Sequence, residues 1–117
     1  MKRRSLVKRK SLGELEVLVL LAAVRLGPEE AYAVSIADEI RSRGGRAVQR
    51  ATVYVTLQRL EHKGLVSSRL GEPSPERGGK ARRLVAVEAA GLEALADAQR
   101  LFISMWDGLE LAVEAKR

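Results

Sequence analysis

Seven side chains toward the C-terminus set the strongest constraint on this chain. Leu92, Leu95, Gln99, Phe102, Trp106, Leu109 and Val113 fall at alternating steps of three and four. That spacing is a heptad seam with one polar position, and a seam of this kind needs a facing helix. It predicts a last helix from about Ala89 to Ala115. A second stripe of Ala94, Ala98, Leu101, Met105, Gly108 and Ala112 runs beside it, so more than one partner helix is expected. Gly108 weakens the helix by about 1 kcal/mol relative to Ala and marks where its end kinks or frays. In a chain of 117 residues there is room for one domain, not for two comfortable cores. A second copy of the chain is therefore the expected partner of the seam.

The first helix points the same way. Ser11 and Glu14 make an S-x-x-E capping box, which predicts a helix from there to about Leu26. Gly27 suits a left-handed C-terminal cap and Pro28 cannot continue the helix. Leu15, Leu18, Val19, Ala22 and Leu26 form one apolar face. Val17, Leu20, Leu21 and Val24 form another. A helix apolar nearly all round must be covered on more than one side. Leu20 therefore joins the seven seam residues as an expected dimer-interface residue.

Between these two helices the periodicity changes once. A second helix is predicted over about Tyr32 to Arg43, with Ala33, Ile36, Ala37 and Ile40 inward and Gly44-Gly45 as its stop. A third runs from about Arg50 to Lys63, with Val53, Leu57 and Leu60 as its buried stripe. The period then drops to two. Leu65 to Leu70 and Arg82 to Val87 read as strands, and GEPSPERGGKA between them reads as a long hairpin loop. The fold class expected is mainly α with a small β-hairpin, a winged helix-turn-helix with a C-terminal dimerisation helix. Its parts are a basic arm (1–11), the winged helix-turn-helix (12–87) and the dimerisation helix (88–117).

Charge locates the expected partner. The chain carries a formal net charge of +6, unevenly placed. Residues 1–11 hold six Lys/Arg and no acid, and residues 41–83 hold eleven Lys/Arg against three acids; the segments between and after are net acidic. A basic block between acidic segments favours a polyanion. A lone helix fits the major groove of duplex DNA, and a cationic hairpin can lie along the adjacent backbone. The expected DNA-binding residues are Tyr32, Arg50, Thr52, Tyr54, Thr56, Arg59, Lys63, Arg77, Lys80 and Arg82. The rival class is a winged-helix protein-interaction module without DNA binding. A more apolar or acidic outer face on the third helix would favour it.

Other chemistries find little support. The chain has no cysteine and one histidine, His62, which reads as a surface residue and speaks against a metal site or a thiol nucleophile. No nucleophile–base set is present, and Gly78-Gly79-Lys80 lacks the spacing and following helix of a phosphate loop. An enzyme is not expected, and no cofactor or metal is assigned. The longest apolar run, Val17 to Val24, is too short to cross a bilayer, and the basic N-terminus lacks a signal peptide's apolar stretch. A cytoplasmic protein is expected.

Three segments carry a family resemblance. They are Leu12-Gly13-Glu14-Leu15-Glu16 with Ala31-Tyr32, Val53 through Glu61 (VYVTLQRLE) with Lys63-Gly64-Leu65-Val66, and the loop from Gly71-Glu72-Pro73 through Arg77-Gly78-Gly79-Lys80. Together they resemble the PadR family of bacterial regulators from about Leu12 to Gly91. The resemblance implies a homodimeric repressor on a two-fold symmetric, palindromic operator. It implies a dimer built by the C-terminal helix, and release by a small, often aromatic, effector, for which Trp106 is the candidate contact. It also implies that the Tyr54 hydroxyl meets a phosphate. The chain departs from the family where tyrosines and a Leu-Thr pair are usual: Leu84, Val85, Val87 and Glu88 stand there. Gln49 stands where a Ser cap is common.

Overall fold

The computed structural model describes residues 11–73, 78–79 and 81–113. Its elements are α1 (Glu14–Leu26), α2 (Ala33–Gly44), α3 (Arg50–His62), β1 (Val66–Leu70), β2 (Arg83–Val87) and α4 (Ala89–Trp106). The expected fold class is found: four helices and a two-stranded antiparallel hairpin. Among the described residues no helix is long and apolar enough to cross a membrane.

The first three helices enclose one core, because each contributes a stripe at helical spacing. Val19, Leu20 and Ala23 of α1, Ile36, Ala37 and Ile40 of α2, and Val53, Leu57 and Leu60 of α3 are all buried. Leu65, Val66 and Val85 close it from the hairpin side. Leu20 is wholly buried here, so it belongs to the protomer's own core and not to a dimer interface. The outward residues of α1 are Leu21 and Val24, close to half exposed. Periodicity alone could not choose between the two sides of so apolar a helix.

The start of α1 differs from the capping box expected at Ser11. The N-cap is Gly13, and the Glu16 carboxylate reaches back to accept from the Gly13 N–H at 2.9 Å. Lys63, just past the end of α3, donates to both oxygens of the same carboxylate at 3.0 Å and to the Ser11 carbonyl at 3.2 Å. Glu16 is buried, and Lys63 is three-quarters covered. One ion pair thus ties the beginning of α1 to the end of α3. Burial alone would raise the Glu16 pKa; the Gly13 N–H and the Lys63 ammonium outweigh it and hold the carboxyl below its ordinary value.

That depression has a sign. A carboxylate with a lowered folded-state pKa stabilises the fold above the unfolded-state value, and the contribution is lost as pH falls through the folded-state pKa. Glu16→Ala should therefore cost about 1.5–3 kcal/mol at neutral pH, the range for a hydrogen bond to a charged group. Urea unfolding should show a lower midpoint at pH 7, and the gap to the wild type should close in acid, below the ordinary glutamate range. An equal gap at pH 7 and pH 3 would deny the ion pair its role.

The hairpin pairs Val66 with Val87 through Leu70 with Arg83. Gly71 N–H donates to the Arg82 carbonyl at 2.7 Å and closes the loop. Val85 N–H donates to the Ala31 carbonyl at 2.9 Å, which pins β2 against the start of α2. β2 does not alternate in burial: Leu84 and Val85 are both covered. Leu84 lies over Gly71, so the strand is shielded on both faces near the loop.

α4 leaves the hairpin at a tight contact. A Cβ on Gly91 would fall 2.4 Å from the Leu65 carbonyl oxygen, so only glycine lets the helix sit there. Leu95 then packs on the core. The helix ends at Trp106, short of the expected Ala115. Gly108 adopts φ +80°, a left-handed conformation open to glycine that breaks the seam on paper. Leu109 and Val113 lie beyond the helix and do not extend its stripe.

Candidate nucleic-acid interface

α3 has one buried arc and one open arc. Val53, Thr56, Leu57 and Leu60 point into the core. Opposite them, at steps of four, three and four, stand Ala51, Val55, Gln58 and His62, all exposed. Arg50, Thr52 and Arg59 flank this line and are exposed too. Four of the residues expected on this helix, Arg50, Thr52, Tyr54 and Arg59, are therefore available to a ligand.

Two are not. Thr56 is 2% exposed, and its hydroxyl donates to the Thr52 carbonyl at 2.8 Å. It lies three residues after Val53 and next to Leu57, on the buried stripe, and its hydroxyl is satisfied by the helix itself. Lys63 is drawn to Glu16, as described above, and serves to place α3 instead of facing a ligand. The sequence signal for both was present: Thr56 completes the 3–4 stripe, and Glu16 is an acid inside an apolar helix.

The hairpin stands beside α3. Ser68 of β1 donates to the Glu61 carboxylate at 3.1 and 3.2 Å, and accepts from Arg83 Nη1 at 2.9 Å. This chain fixes the strands against the end of α3. Between them a cleft of about 310 Å³ is lined by Tyr32, Tyr54, Leu57, Arg82 and Val85, among others. Tyr54 is about half exposed. The Arg82 guanidinium lies over the Tyr32 ring, 4.5 Å from its centroid. Its Nε is buried with no hydrogen-bond partner. Tyr32, Tyr54 and Arg82 thus come together as one group. Arg77 and Lys80 lie outside the described residues.

Much of the basic block is already engaged. Arg41 pairs with Asp38, Arg43 with Glu39, Arg46 with Glu14, and Arg69 with Glu29. Among the described residues Arg50 and Arg59 form no salt bridge of this kind. Within the described part of the basic block, the positive charge offered outward is thereby concentrated on α3 and the hairpin.

The helical residues expected at a dimer interface are largely exposed in the single protomer. Leu92, Leu101, Phe102, Ile103, Met105 and Trp106 are each about half exposed or more in the single protomer. Gln99 is exposed among them, while Leu95 is partly covered by the core.

A sequence profile described as the Transcriptional regulator PadR-like family matches residues 20–97, well over half of the chain. The chain belongs to the PadR-like family of transcriptional regulators. Solved structures agree with this assignment. A PadR family transcriptional regulator from Eggerthella lenta is 27% identical, with 81% of each chain covered and a TM-score of 0.63. A PadR-like transcription factor from Bacteroides fragilis is 24% identical, covering 78% of this chain and 82% of that one, with a TM-score of 0.64. RosR of H. salinarum shares the fold at 21% identity and a TM-score of 0.64, over 88% of this chain and 84% of that one. A search of curated protein sequences gives no significant match. Membership in a PadR-like regulator family places the chain among regulators and not among enzymes.

Proposed function

We propose that this PadR-like regulator binds duplex DNA as a homodimer, with α3 in the major groove and the hairpin on the adjacent backbone. The observation that carries the reading is the open arc of α3. It presents Arg50, Thr52, Gln58 and Arg59 outward beside the Tyr32–Tyr54–Arg82 cleft, while the exposed acid of this helix, Glu61, accepts from Ser68. A protein-interaction module has no need of two arginines on this face beside the Arg82–Tyr32 stack. Side chains of the open arc reach base edges, while Tyr32, Tyr54 and Arg82 suit phosphates. Arg77 and Lys80 belong to the same backbone-contacting set by their place in the loop sequence.

The dimer follows from the α4 stripe, which has no cover in one protomer. Phe102 and Trp106 are its largest members, and Gln99 is its polar position. Two-fold symmetry in the protein demands a palindromic operator, with half-sites about one helical turn apart. A dimer seated on its operator blocks other proteins from that duplex, which is how it represses. Trp106 stands on the dimer stripe, so a flat aromatic effector held there would be enclosed by two copies and would shift the spacing of their α3 helices. Nothing in the chain's chemistry calls for a metal or a cofactor in this cycle. With no membrane-spanning helix described and a nucleic-acid partner, the site of action is the cytoplasm.

The test separates reading from anchoring. Arg59→Ala should relax discrimination at one operator position, at a cost of about 1–3 kcal/mol if its guanidinium meets a guanine bidentately. Arg82→Ala should weaken specific and scrambled duplexes alike. Fluorescence anisotropy on both duplexes measures the two variants. If Arg59→Ala keeps the specific-to-scrambled ratio while Arg82→Ala collapses it, the assignment of reader and anchor is reversed.

A further inference from the structure

The first two turns of α3 carry a feature the charge pattern did not reveal. Arg50 opens the helix, but the next outward side chains, Ala51, Thr52 and Val55, offer methyl groups. Val55 is 48% exposed and points away from the core stripe of Val53, Thr56, Leu57 and Leu60. It contributes nothing to the buried core, and a β-branched side chain there lowers helix propensity. Gln58 and Arg59 follow one turn later. The outward face therefore carries a small aliphatic patch, Ala51 and Val55 with the Thr52 methyl, between Arg50 and the polar turn that follows.

Resting on the DNA-binding reading above, we infer that Val55, with Ala51 and Thr52, reads thymine methyl groups, and that the centre of each half-site is rich in A·T pairs. The C5-methyl of thymine is the apolar feature that the major groove presents at an A·T pair, and short aliphatic side chains meet it. In a helix-turn-helix the N-terminal residues of the groove-bound helix are those nearest the base edges. Gln58, one turn further on, matches the N6/N7 edge of adenine bidentately. Val55 and Gln58 thus select the same kind of base pair by different means.

The experiment removes the methyl and nothing else. Operators are first selected from random duplex DNA with the full-length protein. Each thymine of a selected half-site is then replaced by deoxyuridine, which keeps the pairing edges. Replacing a contacted thymine should weaken wild-type binding about three- to fivefold, the transfer value of one buried methyl group. Val55→Ala should bind the thymine duplex more weakly and lose most of the difference between thymine and uracil at one position. Its thermal melting should match the wild type, because Val55 is exposed. Specific binding that is indifferent to uracil at every thymine would overturn the inference and leave DNA binding standing. So would a Val55→Ala variant that keeps the full uracil penalty. Failure to select any duplex would overturn both readings.

Discussion

Phe102→Ala should convert a dimer into a monomer at micromolar concentration. Phe102 is 63% exposed in the single protomer, so its removal costs the protomer's own core little. In a two-fold dimer the same side chain occurs twice in one interface. Truncating a buried phenylalanine costs about 3–5 kcal/mol. One such loss already weakens association by about two orders of magnitude, and the interface suffers it on both sides. Sedimentation equilibrium distinguishes the outcomes. The wild type should sediment at twice the 12.8 kDa chain mass and the variant at the chain mass, with unchanged α-helical circular dichroism. A wild type that sediments as a 12.8 kDa monomer would remove the dimer and, with it, the palindromic operator.

The sequence foretold the element order because its punctuation is chemical. Gly27-Pro28, Gly45 and Gly64 end or follow the first three helices, and Gly71 begins the loop of the hairpin. The three core stripes also followed from spacing alone. What pattern could not decide was how far round an apolar helix the core reaches: Leu20 and Leu21, read on one face, are buried and nearly half exposed respectively. Residue type misled at Thr56, where a hydroxyl suggested surface but the helix carbonyl four residues back satisfied it. Charge misled at Lys63, since a cation in a basic block turned out to partner a buried acid 47 residues away. The seam of α4 was legible to Trp106 and then failed, because a heptad can be written through Gly108 though the backbone does not follow it.

The same lesson refines the candidate site. Counting basic residues found the right segment but overstated how many face outward. Arg41, Arg43, Arg46 and Arg69 neutralise nearby acids. The apolar outward residue Val55 carried no charge signal and was visible only once the buried arc of α3 was known. Tyr32 and Arg82, fifty residues apart, were singled out separately in the sequence; their stacking required the fold.

The central claim is that α3 and the hairpin bind duplex DNA, and a salt series on a selected operator tests it most directly. Per protomer, Arg50, Arg59, Arg82 and Arg83 remain for the duplex among the described residues, with Arg77 and Lys80 expected beside them. If about six to ten of the dimer's cations each meet a phosphate, that many neutralisations release counterions. Affinity measured by fluorescence anisotropy should fall about 10³- to 10⁵-fold between 50 and 200 mM salt, with the scrambled duplex weaker at every point. Binding that is flat across that range, or absent at 50 mM, would contradict the account.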